Sequence, residues 1–373
     1  MRVCACGRCK ENRGPKTRQL VSAVGVIPIR RRYWQCHCGG DGSYAADGVL
    51  GIEGRFSKTV QKHCCRLGAE VGFAATTEHL QEMLGVSVSA ETVRTLVEGH
   101  GRAMASFQLE DTQTGQAFAQ AAGAVEFAVD AAKVNTREEG WKDLKIAVIS
   151  KREAGAPTTL EEWRSQRLPA ATMVLAFAMI AAAKTFRRSW RKRLRRLGVT
   201  GMAGVHALGD GASWIWKSVE RALTGCTQTL DFYHACEHLS RCAEGIFGEG
   251  TTETRTAFEH GRGLLLLQGW DGVCQWVGEL LTVEAQSELE RRRRWTDKLI
   301  GYFSKHLSRL NYAERLAAGR AIGSGVVEGQ AKTLGLRLKR RGARWNRSNV
   351  QPMASLVCVR HSLQWAAYWN QAV

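Results

Sequence analysis

The sequence predicts a mixed α/β protein, and three observations support this prediction. Short runs rich in apolar and β-branched residues, which are typical of strands, occur in residues 19–33 and again from residue 124. Segments with apolar residues at helical spacing lie between and after these runs. Hydrophobic residues make up 44% of the 373-residue chain, which is enough for a core. Because the chain is longer than one typical domain, we expect several structural units.

Residues 1–50 are predicted to form a zinc-ribbon-like segment. Two cysteine clusters, in residues 4–9 and 36–38, flank a stretch that alternates apolar and polar residues as a β-hairpin would. Cysteine knuckles joined by a hairpin are typical of structural zinc sites. The pattern leaves open which cysteines of the first cluster bind metal, and free thiols with chance spacing are the alternative. The ligands that we favour are Cys6, Cys9, Cys36 and Cys38.

Residues 51–120 are predicted to form a helical DNA-binding domain. Residues 77–84, then Gly85, then residues 89–98 give the pattern helix, glycine turn, helix, and Ser89 is a suitable N-cap. This order resembles a helix-turn-helix motif, in which residues 89–97 would be the recognition helix. Helical hairpins also occur as plain packing, so the pattern leaves the DNA-binding role open.

The order of elements in residues 121–231 predicts a ribonuclease-H-like core. Three strands, a helix, a strand, a helix and a fifth strand follow one another, which is the element order of that fold. The predicted strands are residues 124–129, 141–150, 173–180, 205–208 and 226–230, and the predicted helices are residues 181–197 and 212–223. Residues 232–320 have helical periodicity throughout, and residues 321–373 begin with another helix and carry a strongly basic tail.

Three carboxylates stand where such a core could gather them. Asp130 is expected to end the first strand and Asp210 the fourth, while Glu328 lies at the start of a later helix. Carboxylates are preferred ligands of Mg²⁺, and two such ions can activate an attacking oxygen and stabilise a leaving oxygen in phosphodiester chemistry. The sequence therefore predicts a site for Mg²⁺ or Mn²⁺ at these acids. The alternative is that acids between glycines are only turn formers.

The charge of the chain predicts a nucleic-acid partner. Lys and Arg number 53 against 35 Asp and Glu, which gives a net charge of +18. Such a field attracts polyanions, and contacts to phosphate supply most of the non-specific affinity for DNA. No membrane partner is expected, because the longest apolar run, residues 172–183, is shorter than the about 20 residues of a membrane span. Twelve cysteines and no signal-peptide pattern predict a reducing, cytoplasmic location.

Two basic segments are the candidate DNA-binding surfaces. One is the predicted helix 181–197, and the other is the tail from residue 337 to residue 347, in which Trp345 could stack on an unpaired base. A solvated basic face is the alternative interpretation of the tail. The candidate DNA-binding residues are Arg187, Arg191, Arg337, Lys339, Arg340, Arg341, Arg344 and Trp345.

Four blocks of sequence resemble the bacterial Kra-type insertion-sequence transposases and the neighbouring Lre-type group. The blocks are Gly209–Trp216, Leu230–Leu239, Gly323–Glu328 and Arg337–Trp345, and their order along the chain makes the resemblance specific. The resemblance implies that Asp130, Asp210 and Glu328 are the catalytic triad of a DDE transposase. It also implies that residues 232–320 are an all-helical insertion and that residues 321–373 complete the catalytic core.

The resemblance implies metal-dependent DNA cleavage at the ends of a mobile element and transfer of the strand into target DNA. The expected partners are double-stranded DNA, both the element ends and the target, and further copies of the chain in a homo-oligomer. The expected location is the bacterial nucleoid. Asp231 and His234 resemble an acid-x-x-His motif of such enzymes. His234 would contact the scissile phosphate or orient a metal-bound water, or the pair would only brace the chain. Non-catalytic DNA binding and nuclease activity without strand transfer are the alternative functions.

Overall fold

The structure is a computed structural model that describes residues 3–40, 42–50, 52, 54–159, 161–202 and 204–370. Its strands are β1 (Glu11–Ser22), β2 (Gly25–Gln35), β3 (Ser43–Tyr44), β4 (Ala124–Thr136), β5 (Gly140–Arg152), β6 (Met173–Ile180), β7 (His206–Gly209) and β8 (Thr227–Leu230). Its helices are α1 (Ala45–Leu50), α2 (Lys58–Glu70), α3 (Phe73–Leu84), α4 (Ala90–Glu110), α5 (Thr112–Gln120), α6 (Ala183–Arg196), α7 (Ser213–Ala222), α8 (Phe232–Phe247), α9 (Thr252–Gln268), α10 (Trp270–Leu280), α11 (Gln286–Phe303), α12 (Tyr312–Ala317), α13 (Gly325–Leu338), α14 (Arg347–Arg360) and α15 (Gln364–Asn370).

The chain divides into two compact units. Unit 1 comprises Met1–Gln108, Thr136–Glu139 and Leu336–Val373, and unit 2 comprises Leu109–Asn135 and Gly140–Gly335. The whole of residues 321–373 is predicted to belong to the core, whereas the part from Leu336 onward belongs to unit 1.

Unit 1 contains the predicted N-terminal hairpin. Strands β1 and β2 pair antiparallel up to Ser22 and Gly25, and β3 adds to the free side of β2. The turn is closed by the hydroxyl of Ser22, which donates to the carbonyl of Gly25 at 2.7 Å. The hairpin prediction is confirmed, and the strands extend beyond the predicted residues 19–33 at both ends.

The helix, glycine turn and helix predicted within residues 77–98 are also present in unit 1. Helix α3 ends at Gly85, which has the left-handed conformation of a C-cap, with φ of 62°. Helix α4 begins after Ser89, whose hydroxyl accepts the backbone N–H of Thr92 at 3.2 Å. However, α4 continues to Glu110 and buries Val93, Val97 and further apolar residues along its length. The predicted recognition helix is therefore the first part of a much longer packed helix.

Unit 2 contains a five-stranded mixed sheet with the order β6-β5-β4-β7-β8. Strands β4, β7 and β8 are parallel, and β5 is antiparallel to β6. Because β4 and β5 are neighbours joined by a short turn, they must also be antiparallel. Helices α6 and α7 pack on this sheet through a core that includes Phe127, Trp190 and Ile215. The mixed α/β fold class is confirmed.

One predicted strand end is wrong. The first core strand is predicted to end at Asp130, but β4 continues to Thr136. The parallel partner β7 pairs only with Glu126–Val129, so β4 loses this neighbour at Asp130. The remaining residues of β4 lead into the turn before β5. Asp130 therefore marks the end of the parallel pairing, and not the end of the strand.

The segment between β8 and α13 is helical, as predicted. Residues 232–320 contain helices α8 to α12 and a short 3-10 turn at Leu307–Arg309. These helices extend the core of unit 2 through side chains such as Trp276 and Phe303. None of the helices in the described ranges combines the length and the apolar composition that crossing a bilayer would require.

Candidate functional site

Asp130 and Asp210 lie side by side at one edge of the unit 2 sheet. Val129 pairs with Gly209 at the end of the parallel ladder; Asp130 is the next residue of β4, and Asp210 directly follows the end of β7. Neighbouring strands are about 4.8 Å apart, so the two carboxylates start from adjacent backbone positions. Both side chains are half-buried. The sequence predicted this pairing, even though it misjudged where β4 ends.

The pKa of Asp130 depends on both of the other predicted acids. Burial raises the pKa of Asp130, and the charges of Asp210 and Glu328 raise it further. The backbone N–H of Ala131, which donates to Oδ1 of Asp130 at 2.6 Å, and the charge of His234 oppose this rise in pKa. The acid cluster, defined here as Asp130, Asp210 and Glu328, therefore forms one electrostatic group within unit 2.

The loop that holds Asp210 is fixed by local contacts. Oδ1 of Asp210 accepts the backbone N–H of Ala212 at 2.8 Å, and its backbone carbonyl accepts the indole N–H of Trp216 at 2.8 Å. The following residue is a glycine because a Cβ atom on Gly211 would lie 2.4 Å from the ring of Tyr302. Asp210 is therefore a turn former as well as a candidate ligand. Tyr302 is a residue of this site that the sequence analysis did not identify.

Asp231 is fully buried and its carboxylate is saturated with hydrogen bonds. Oδ1 accepts the backbone N–H of His234 at 2.8 Å and the imidazole Nδ1–H at 3.2 Å. Oδ2 accepts the backbone N–H and the hydroxyl of Ser324, the latter at 2.7 Å. Burial alone would raise the pKa of Asp231, but these hydrogen bonds lower it below its ordinary value. Asp231 thus caps α8 and ties it to the residues before α13.

His234 and Glu328 lie beside this buried carboxylate. Ligand atoms of Asp231, His234 and Glu328 are all within 4.8 Å of one another and could hold a metal ion. The hydrogen bond to Asp231 raises the pKa of His234 to about 9, and the charges of Asp231, Glu237 and Asp210 act in the same direction against burial. Glu328 is exposed in the first turn of α13, with Oε1 3.2 Å from the hydroxyl of Ser324.

The oxygens that remain available differ between these acids. A carboxylate offers about four lone-pair positions, and all those of Asp231 are engaged. By contrast, in the described part of the chain no hydrogen bond reaches Oδ2 of Asp130, Oδ2 of Asp210 or Oε2 of Glu328. The three acids identified from the sequence therefore keep oxygens for a cation, while Asp231 is better suited to orienting His234.

A second group of possible metal ligands lies in unit 1. The sulfur atoms of Cys4, Cys6, Cys36 and Cys38 are all within 4.8 Å of one another and could hold a metal ion. The Sγ atoms of Cys4 and Cys38 are 3.5 Å apart, and those of Cys6 and Cys36 are 3.6 Å apart. Sulfurs that surround zinc tetrahedrally at about 2.3 Å are separated by about 3.8 Å, so the spacing suits such an ion.

The predicted ligand set is corrected at one position. Cys9 is exposed and lies outside the cluster, and Cys4 takes its place. The reason is a tight turn in which the backbone N–H of Gly7 donates to the carbonyl of Cys4 at 2.9 Å. This turn brings the sulfur atoms of Cys4 and Cys6 close to those of Cys36 and Cys38. The backbone of Cys9, after the turn, instead forms an isolated antiparallel β-bridge with Val3.

Two of the predicted DNA-binding residues are not on an open surface. Arg337 is only 3% exposed and Trp345 only 6% exposed, so neither lies on an open surface. The indole N–H of Trp345 donates to the carbonyl of Leu338 at 3.0 Å, and its ring packs against Phe73. Stacking of Trp345 on an unpaired base is therefore excluded in this arrangement. The remaining candidates are half-buried or exposed, namely Arg187, Arg191, Lys339, Arg340, Arg341 and Arg344.

Comparison with known proteins adds no family assignment. No protein-family model matches the sequence, and a search of curated proteins gives no match. The function must therefore be argued from the acid cluster, the cysteine cluster and the distribution of charge.

Proposed function

We propose that the protein is a DDE-type DNA transposase, which cuts DNA at the ends of a mobile element and joins them to target DNA. The observation that carries this proposal is the acid cluster, in which three electrostatically coupled carboxylates each keep an oxygen that no hydrogen bond from the described residues reaches. The sheet order β6-β5-β4-β7-β8, with β5 antiparallel to its neighbours, is the order expected of a ribonuclease-H-like core and supports the proposal.

The residues of the acid cluster suit a hard divalent cation. Asp130, Asp210 and Glu328 would hold Mg²⁺ or Mn²⁺ through carboxylate oxygens, which such ions prefer. When bound, the metal would lower the pKa of an attacking water or hydroxyl and stabilise the leaving oxygen. Within the chain itself, Asp231 fixes the ring of His234 through Nδ1, which leaves Nε2 to donate to a phosphate oxygen. His234 is therefore proposed as a catalytic residue and Asp231 as the residue that positions it.

The charge distribution supports double-stranded DNA as the partner. The net charge of +18 favours association with phosphate, and exposed basic residues occur on α6 and after α13. Because a mobile element has two ends, the enzyme is proposed to act as a homo-oligomer on DNA. The cysteine cluster is proposed to hold structural zinc, since thiolates at this spacing are typical zinc ligands.

One observation favours a second function, non-catalytic DNA binding. Unit 1 contains the cysteine cluster, helices α3 and α4 and the basic tail, so it could bind DNA without the acid cluster. A binding protein would have no need of the acid cluster. A transposase should therefore lose DNA cleavage when one carboxylate of the acid cluster is replaced. A protein that only binds DNA should show no such loss.

The substitution Asp210→Asn distinguishes these functions. An asparagine keeps the oxygen that accepts the N–H of Ala212, so the loop should stay folded. A neutral amide is a poorer ligand for Mg²⁺, so cleavage of a labelled DNA that carries the sequence on either side of the gene, where the proposal expects inverted repeats, should fall at least about 100-fold. Binding of the same DNA should stay within about twofold of the parental protein.

The control for this experiment is Asp297→Asn, which removes the same charge at an exposed position on α11. It should cleave and bind like the parental protein. Cleavage by Asp210→Asn at the parental rate would contradict the transposase proposal and favour the DNA-binding function.

A further inference from the structure

Arginine is the most frequent residue in the lining of a pocket in unit 1. It has a volume of about 470 Å³ and lies between the start of α3, the middle of α4 and the segment that follows α13. Its lining includes Arg94, Arg337, Arg344 and Trp345. The volume is within the range of about 300–1,000 Å³ that is common for small-molecule sites. The acid cluster contributes nothing to this pocket, because its three residues belong to unit 2.

Arg337 is the most unusual residue of the pocket. Its Nε donates to the carbonyl of Gly68 at 2.6 Å, and its guanidinium carbon lies 4.9 Å from the ring centroid of Phe73 and 5.0 Å from that of Trp345. Nη2 is buried and has no hydrogen-bond partner in the described part of the chain. A buried charged group with unused donors costs free energy unless an acceptor meets it. An anion in the pocket would supply this acceptor.

The start of α3 adds a second feature that favours an anion. Gly72, Phe73 and Ala74 line the pocket, and the N-cap Gly72 has no side chain that could accept the first N–H groups of the helix. The unpaired N–H groups and the helix dipole together attract negative charge at such a position. Helix α3 is 12 residues long, which is enough for this dipole to matter.

The charges around the pocket are not neutralised from within. Arg137, Arg340, Arg341 and Arg344 are exposed, and no ion pair holds them among the described residues. Glu98 is the one carboxylate of the lining, and it pairs with Arg94 at 3.4 Å. The pocket therefore carries an excess of positive charge, with guanidinium groups whose fork geometry suits phosphate oxygens.

We propose that this pocket binds the phosphate group of a single nucleotide in a DNA strand, and that Arg337, the first turn of α3, Arg340 and Arg344 contact it. The inference rests on the proposed function in so far as DNA is the partner. The volume exceeds the needs of a phosphate alone, so the sugar of the same nucleotide would also enter. Trp345 acts here by stacking on Arg337, and not by stacking on a base.

The test uses the full chain and no added divalent cation, so that binding is measured without cleavage. The probe is a labelled single-stranded decamer observed by fluorescence anisotropy, and thymidine 5′-monophosphate and thymidine are the competitors. We expect the monophosphate to displace the decamer and thymidine to have no effect. Arg340→Gln and Arg344→Gln should each weaken binding of the decamer about tenfold, because a hydrogen bond between charged groups is lost. Both variants should also abolish competition by the monophosphate.

A matched control and one conservative variant complete the test. Arg255→Gln removes the same charge from an exposed position on α9 in unit 2, and should change the affinity less than twofold. Arg337→Lys keeps the charge but removes the planar fork, so it should weaken monophosphate binding while the thermal unfolding midpoint shows that unit 1 is folded. Equal losses in Arg255→Gln and Arg344→Gln, or equal competition by thymidine, would overturn the inference.

The two proposals can fail separately in this design. A parental protein that binds the monophosphate in the pocket but never cuts DNA in Mg²⁺ would overturn the transposase proposal and support the pocket. A protein that cuts DNA but whose pocket variants bind the decamer as tightly as the parent would overturn the pocket inference and support the transposase proposal.

Discussion

Among single residues, Asp231 and His234 show how burial separates two interpretations that the sequence left open. The spacing of the two residues identified the pair but did not indicate whether it braces the chain or takes part in chemistry. Asp231 has bracing contacts on every lone pair, half of them from Ser324. Because Ser324 lies 93 positions along the chain from Asp231, no local pattern could have predicted this contact. The role of Nε2 of His234 stays a prediction.

His100 is a buried histidine whose neighbours select its neutral form. Its Nε2 lies 2.8 Å from the amide oxygen of Gln61, and its Nδ1 lies 2.8 Å from the hydroxyl of Tyr368. The amide oxygen can only accept, so Nε2 carries the proton and Nδ1 accepts from the tyrosine. In this way one imidazole joins α2, α4 and α15 within unit 1.

We predict that this residue makes unit 1 less stable in mild acid. Burial lowers the pKa of His100 to about 4, whereas the pKa in the unfolded chain is about 6.5. Between these values the unfolded chain binds a proton that the folded chain does not. The stabilisation is therefore complete above pH of about 6.5 and is lost as the pH falls toward 4, by roughly 2–3 kcal/mol.

Urea unfolding between pH 4.5 and 7.5 tests this prediction. The variant His100→Gln keeps a donor and an acceptor and should show a smaller loss of stability in acid. His79→Gln, at a half-buried position on α3 in unit 1 where no ion pair involves the histidine among the described residues, should retain the parental pH dependence. If the free energy of unfolding of His100→Gln fell with decreasing pH as steeply as that of the parental protein, the acid sensitivity of unit 1 would have another source.

At the level of elements, the sequence predicted the order and type of the core elements well. Strand β6 coincides with its predicted bounds, and α6 and α7 differ from theirs by a few residues. These elements have strong local periodicity, which a single sequence can display. The extension of β4 was missed because the residues beyond Asp130 are held by pairing with β5 and not by an apolar pattern of their own.

Close packing between helices was invisible in the sequence, and it leads to a second prediction. Helix α4 contains Gly99 and Gly101, which a propensity argument treats alike. A Cβ atom on Gly101 would lie 2.3 Å from the backbone carbonyl oxygen of Pro352 in α14, whereas one on Gly99 meets nothing within 4 Å. Gly101→Ala should destabilise the protein by about 1–3 kcal/mol, because a backbone cannot move aside easily.

Gly99→Ala is the matched control for this prediction. Its added methyl group should stabilise the protein by about 0.5–1 kcal/mol through higher helix propensity. Both changes in free energy can be read from urea unfolding followed by circular dichroism. If Gly101→Ala proved as stable as Gly99→Ala, the close approach of α4 and α14 would be refuted.

At the level of the whole molecule, the chain passes between its two units several times. Strand β4 and helix α13 each begin in unit 2 and end in unit 1. Sequence patterns follow one another along the chain and therefore suggest consecutive domains. For this reason they place residues 321–373 in one core. Long-range contacts, such as that of Arg337 with Gly68, decide the division instead. The same contacts bury two residues that the charge pattern had identified as DNA-binding.

The cysteine cluster gives the last prediction, since it should support one part of unit 1 and leave unit 2 unaffected. Zinc held by Cys4, Cys6, Cys36 and Cys38 would join the start of the chain to the end of β2. Removal of zinc by a chelator should therefore increase hydrogen exchange in β1 and β2, because the cluster joins the residues that directly precede β1 to those that directly follow β2. Exchange in β6, β7 and α8 should not change, because these elements belong to unit 2 and the cysteine cluster belongs to unit 1.

Two cysteine variants make this prediction specific to the ligand set. Metal analysis of the parental protein should show about one zinc ion per chain. Cys4→Ser should lose most of this zinc. Cys9→Ser removes an exposed thiol outside the cluster and should keep its zinc and its parental exchange in β1 and β2. Zinc loss in Cys9→Ser with retention in Cys4→Ser would restore the ligand set expected from the sequence. A parental protein without zinc would show that these thiols are held together by the fold of the hairpin alone.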